Sequence, residues 1–185
     1  MKLKEIVDSI NTTLKSELQI QLGEFYGLAK LVIVHQQDDS QTYVATIFNS
    51  NGSEIRCQVD DSYPFTIYHR CLSISVTKEN IPQYGDGEDN LKETANMIAV
   101  VYGRGESVQE DFASMIVASL PPTIDIAELN NVDVIAGSVN NDSFSVYNQE
   151  YKSTDYPLNP KDYYFSISYT IETTYDRSCV EKCIN

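Results

Sequence analysis

Basic residues are scarce in this chain. Thirteen Lys and Arg stand against 27 Asp and Glu over 185 residues, a formal charge of -14. Such a surface repels phosphate backbones, which disfavours a protein that grips DNA or RNA. The lack of a basic stripe equally argues against binding to anionic membrane surfaces. No apolar run approaches the roughly 18 residues of a membrane helix. The opening MKLKEIVDSI mixes charges with isolated apolar positions, unlike a signal peptide, so a cytoplasmic origin is expected.

Histidine, tryptophan and cysteine are also sparse. The only histidines are His35 and His69, and tryptophan is missing. Cys179 and Cys183 have loose metal-ligand spacing, but zinc needs two further ligands and both histidines lie far away in the chain. No metal or other cofactor is expected. No Gly-x-Ser-x-Gly elbow and no His-Glu-x-x-His pair occurs. A thiol nucleophile assembled from Cys57 or Cys71 with His35 or His69 is the one catalytic reading left open. Both thiols lie in strand-like segments, where a buried, inert cysteine is the commoner outcome. The chain is therefore expected to have no catalytic residue.

What is present is an ordinary globular composition, 42% hydrophobic and 22% charged, in a length that suits one domain over residues 1–185. Thirteen tyrosines supply large contact areas with polar tips, suited to subunit interfaces and to sheet faces. Leu3, Ile6, Ile10, Leu14 and Leu18 recur at steps of three and four, which predicts an amphipathic helix over 2–19. A strand is expected over Leu28–His35. A hairpin is expected from Tyr43–Phe48 and Ile55–Val59 around Asn51-Gly52, since both turn residues tolerate positive φ. In Phe65–Val76 the apolar parity switches near His69-Arg70-Cys71, which predicts a bulge or a change of sheet environment. His69 at that point reads as a half-buried structural histidine more readily than as a catalytic one.

The acidic stretch 82–93 carries Asp86, Glu88 and Asp89 but fails the EF-hand register, because Leu91 and Met97 occupy the positions that need Gly and Glu. Met97–Tyr102 is apolar on both faces and reads as a central covered strand. Gly103-Arg104-Gly105 follows, with neither the lysine of a P-loop nor the third glycine of a dinucleotide fingerprint. Ser107 and Glu110 instead form a capping box, and an apolar stripe from Val108 to Leu120 predicts a helix over 107–120, stopped by Pro121-Pro122. The glycines are expected to turn the chain and to bind no nucleotide. Further on, Val132–Gly137 and Ser143–Tyr147 read as strands joined at Asn140-Asn141-Asp142. Tyr163–Thr173 alternates Phe165, Ile167, Tyr169 and Ile171 with Ser166, Ser168, Thr170 and Glu172, a strand with one face to solvent or a partner. The expected fold is α+β: a mixed, mostly antiparallel sheet with the N-terminal helix and a second helix packed on it.

The order helix, strand, hairpin, strand, acidic loop, strand, helix, paired strands resembles the tail-terminator and head-tail joining proteins of tailed bacteriophages, most of all their neck and tail-completion members. The resemblance rests on the helix Leu3–Leu18, the covered strand Met97–Tyr102 feeding helix Ser107–Leu120, and the long last strand Phe165–Thr173 after a Pro-containing loop. It spans nearly the whole chain as element order, without a signature motif. The extended segment Phe65–Val76 and the cysteine-bearing tail depart from it. The resemblance implies a non-catalytic structural virion protein, assembled in the host cytoplasm as a homo-oligomeric ring. Portal, neck or tail-tube proteins would lie above and below, and DNA would pass without specific binding. Candidate interface positions are Phe165, Ile167, Tyr169 and Ile171 on the last strand, and the turns at Asn51, Gly52, Asn140 and Asn141. The competing readings are a small acidic α+β binding module of bacterial origin and a hydrolase with a cryptic Cys-His site.

Overall fold

The computed structural model describes residues 1–18, 23–29, 31–37, 42–48, 53–56, 65–79, 90–104, 109–127, 129, 131–151, 158 and 161–176. The chain runs α1 (Leu3–Leu18), β1 (Gly23–Ala29), β2 (Leu31–Gln37), β3 (Thr42–Phe48), β4 (Glu54–Arg56), β5 (Phe65–Glu79) and β6 (Asn90–Arg104). It continues with α2 (Gln109–Ser119), β7 (Thr123–Ile124), β8 (Asn131–Asn140), α3 (Ser143–Tyr151) and β9 (Asp162–Asp176). A six-stranded sheet has the order β1-β5-β6-β9-β8-β7, and β2-β3-β4 form a second, antiparallel sheet. Only the β1–β5 pair of the larger sheet is parallel; its other pairs are antiparallel. The α+β class, the mostly antiparallel sheet and the two helices packed on it agree with the sequence reading.

One face of this sheet carries the main core. Ile6, Val7, Ile10, Leu14 and Leu18 of α1 and Phe112, Ala113 and Ile116 of α2 close over Ile67, Met97, Val101, Phe165, Ile167 and Ile171. The stripe on α1 buries because steps of three and four put these side chains on one side, and the sheet offers them an apolar floor. The opposite face is covered at one end by α3. There Val146 and Tyr147 pack with Tyr68, Ile98, Val100, Tyr102 and Tyr164. The Tyr102 and Tyr164 rings stack at 4.7 Å between centroids.

Three sequence expectations are corrected. The single strand over Leu28–His35 is two strands in different sheets, β1 ending at Ala29 and β2 starting at Leu31. An apolar run cannot reveal by itself that the chain changes sheets within it. Ser143–Tyr147 is not the second arm of a hairpin but the start of α3. The Asp142 carboxylate accepts from the Ser145 amide at 3.1 Å, an N-cap, and Asn140 Oδ1 accepts from the Asp142 amide at 3.1 Å. Ser143 Oγ both donates to the Tyr164 carbonyl and accepts from its amide, fastening this helix start to β9. Lastly, Gly103 is no turn residue. It lies in β6 opposite Phe65 and Tyr163, where an added Cβ would stand 2.1 Å from the Tyr163 ring. Gly105 and Ser107 lie outside the described residues, as do the Asn51-Gly52 turn and the acids Asp86, Glu88 and Asp89.

Candidate functional site

The parity switch in β5 is a bulge, and it decides what this strand exposes. The register runs Cys71↔Met97 and then Ser73↔Asn96, which leaves Leu72 as the extra residue. Ile74 then pairs with Ala95 and Val76 with Glu93, on the same face as Ile67 and the helices. The bulge thus returns the even-numbered apolar residues to the face on which the odd-numbered ones begin. β1, however, pairs with β5 only as far as Arg70. Among the described residues, no strand pairs along the outer edge of β5 beyond that point. Leu72, Ile74 and Val76 are 51%, 51% and 55% exposed there. Residues 71–77 carry no charge, and the first edge-blunting lysine is Lys78.

A second open edge lies across the sheet. β7 pairs with β8 only at Val132 and Asp133. From Ile135 to Val139 the strand is exposed, with Ile135 at 50% and Val139 at 36%. The register of β8 with β9 shifts between Ala136 and Val139. At this bulge Ser138 donates its amide to Ser168 Oγ at 2.7 Å, and a Cβ on Gly137 would meet that oxygen at 2.4 Å. Close approach of β9 therefore requires glycine at this position.

The apolar face of β9 lies elsewhere than the sequence suggests. Phe165, Ile167, Tyr169 and Ile171 are 0%, 0%, 2% and 0% exposed, sealed beneath the chain's own helices. An alternating strand announces one apolar face without saying whether a helix of the same chain or a neighbour covers it, and here α1 and α2 do. The four residues are core, not interface. Of the other interface candidates, Asn140 is partly exposed and Asn141 exposed at the β8–α3 corner, while Asn51 and Gly52 lie outside the described residues.

The titratable groups of the core are engaged structurally. His69 is fully buried; its Nδ1 accepts from the Tyr169 hydroxyl at 2.8 Å, and its Nε2–H donates to Asn11 Oδ1 at 2.9 Å. This tautomer follows from the next link, in which Asn11 Nδ2 donates to the Tyr26 carbonyl at 2.9 Å and leaves Oδ1 as an acceptor. Burial lowers the imidazole pKa from 6.5 to about 4, against a weaker upward pull from Asp8. Burial also pushes the Tyr169 phenol upward. Neither ring nitrogen is free to activate Cys71, whose half-buried thiol is itself pushed up by desolvation. Cys57, Cys179 and Cys183 lie outside the described residues, and of His35 only the backbone is described. On the other face the Glu150 carboxylate takes Arg70 Nη1 at 2.6 Å and the Tyr68 hydroxyl at 3.1 Å, tying α3 to β5.

Between the two edges, that second face is polar. Asn96 Nδ2 donates to Ser73 Oγ at 2.9 Å, and Lys92 pairs with Glu172 at 2.9 Å. Among the described residues no group of three or more His, Cys, Asp or Glu is placed to hold a metal ion, and no helix is long and apolar enough to cross a membrane. The arrangement offers backbone pairing capacity beside uncharged apolar side chains. The sequence signal for it was the parity switch at Leu72, Ile74 and Val76, which marks the bulge but not the missing neighbour. No protein-family model matches this chain, and no curated protein matches it.

Proposed function

We propose that this protein is a non-catalytic assembly subunit, forming an oligomeric ring at the head-tail junction of a tailed bacteriophage. The observation that carries the assembly role is the uncharged stretch 71–77 of β5, along whose outer edge no strand pairs among the described residues, with Leu72, Ile74 and Val76 exposed. Monomeric proteins blunt such edges with lysine, proline or a covering element, because free N–H and C=O groups recruit other chains. The charge of -14 limits where copies can meet. Copies that repel one another over most of their surface associate where charge is absent. The engagement of both His69 nitrogens and the raised Cys71 thiol favour this reading over a cryptic Cys-His hydrolase. The placement at a phage neck rests on the resemblance in element order, of which helix Leu3–Leu18, the covered strand Met97–Tyr102 within β6 ahead of α2, and the long last strand are retained. It fits an acidic bore through which DNA passes without being held. Portal, neck or tail-tube proteins would then stack above and below.

The experiment is imaging of a phage particle that carries the protein. Several copies arranged around the channel axis are expected. A single copy off the axis, or a protein found outside any particle, refutes the ring and leaves the acidic binding module.

A further inference from the structure

Resting on that assembly reading, we infer that the partner of the β5 edge is the β8 edge of a second copy, joined antiparallel so that the sheets of successive subunits run on into one another. Strand direction is the first support. β5 is antiparallel to β6, β6 to β9, and β9 to β8, so β5 and β8 run in opposite senses. A neighbour brought alongside with its sheet in continuation meets β5 with β8 in the antiparallel sense, which is the commoner and slightly more stable pairing.

Charge is the second support. Residues 71–77 read Cys-Leu-Ser-Ile-Ser-Val-Thr and residues 134–140 read Val-Ile-Ala-Gly-Ser-Val-Asn, with no ionisable acid or base in either beyond the thiol. Within them, and among the described residues, the outer edge of β5 is open from Cys71, β1 ending opposite Arg70, and that of β8 from Ile135, since β7 ends opposite Asp133 and the Val134 amide donates to the Pro122 carbonyl at 2.9 Å. Two neutral edges facing each other avoid the repulsion that other surfaces of so acidic a chain would meet.

Facing is the third support. Ile74 and Val76 lie on the helix-bearing face through their pairing with Ala95 and Glu93. Val139 lies on the same face through its pairing with Ile167. In a continuous sheet these three exposed side chains meet on one side of the junction. A symmetric β5–β5 dimer would use Ile74 and Val76 but leave Ile135 and Val139 bare. Pairing of unlike edges is heterologous, so it propagates, and closes into a ring when the rotation per subunit permits.

The test places a photo-crosslinker in the purified full-length chain as Ile74→p-benzoylphenylalanine, with attachment sites mapped by mass spectrometry. In parallel, Ile74→Lys and Val139→Lys are compared with the wild type by sedimentation at high protein concentration. Attachment to residues 134–140 of another copy is expected, with both lysine variants weakening self-association by about tenfold or more. Attachment to residues 72–78 of another copy, with Val139→Lys inert, overturns the β5–β8 pairing and leaves the assembly reading standing. A wild-type chain that stays monomeric and yields no inter-copy product overturns the pairing and removes the self-assembly on which it rests. Both lysines replace exposed side chains, so circular dichroism matching the wild type separates lost contacts from lost folding.

Discussion

The chain Tyr169–His69–Asn11–Tyr26 makes acid stability a direct reading of the core. His69 is neutral in the fold with a pKa of about 4, against 6.5 for the free side chain. The unfolded chain therefore binds a proton as pH falls through about 6.5, while the folded chain does not until about 4. Stability is full above the upper value and drains away across that window. At 1.36 kcal/mol per pH unit the loss comes to about 3 kcal/mol, a large share of the roughly 5–15 kcal/mol that holds a domain together. The many carboxylates add their own acid dependence, so the comparison must be differential. In His69→Gln the amide still has an acceptor for Tyr169 and a donor for Asn11, but no proton to take up. We expect the variant to be less stable than the wild type at neutral pH, by about 1–3 kcal/mol for imperfectly replaced hydrogen bonds. The gap should close, and even reverse, as pH falls to about 4. Urea unfolding followed by tyrosine fluorescence or circular dichroism at a series of pH values measures it. A gap that stays constant across the window refutes the buried, neutral imidazole.

The remaining predictions concern other parts of the molecule. Arg70→Met should destabilise by roughly 2–4 kcal/mol by stranding the Glu150 carboxylate against Tyr68; Arg70→Met combined with Glu150→Leu should recover part of that loss in thermal melts, and a double variant worse than the single would refute the pairing. Gly137→Ala should cost about 1–3 kcal/mol by overpacking, since its Cβ meets the Ser168 carbonyl oxygen at 2.9 Å as well as the hydroxyl; an unchanged melting temperature would contradict the register of β8. Tyr169→Asp should prevent folding outright rather than merely loosen an interface, because it places a carboxylate in the sealed core; a folded variant by circular dichroism would refute its burial. Calorimetry with ATP, GTP and NAD should show no heat of binding at the Gly103 segment, where the Tyr163 ring occupies the space beside the glycine; micromolar binding lost in Gly105→Val would overturn this.

Local periodicity made some elements legible and topology withheld the others. The spacing Ile6, Ile10, Leu14, Leu18 specifies α1, and alternation specifies β9, because a helix or strand must turn its apolar side chains one way to bury them. The same patterning marked the bulge in β5, where side-chain parity changes at Leu72. Ser143–Tyr147 reads as a strand because its short aromatic and β-branched run suits one. The Asp142 cap and the docking of Val146 and Tyr147 against the tyrosines of the sheet decide for helix. The break between β1 and β2 is not legible in the run Leu28–His35, because the change of sheet depends on which strand each part meets. What covers a face, and which edge is left open, depends on residues distant in the chain. The sequence by itself determined that β9 has an apolar face and that β5 carries apolar residues in two parities. Tertiary structure alone decided that α1 and α2 seal the first, while beyond Arg70, where the pairing with β1 ends, Leu72, Ile74 and Val76 stay exposed.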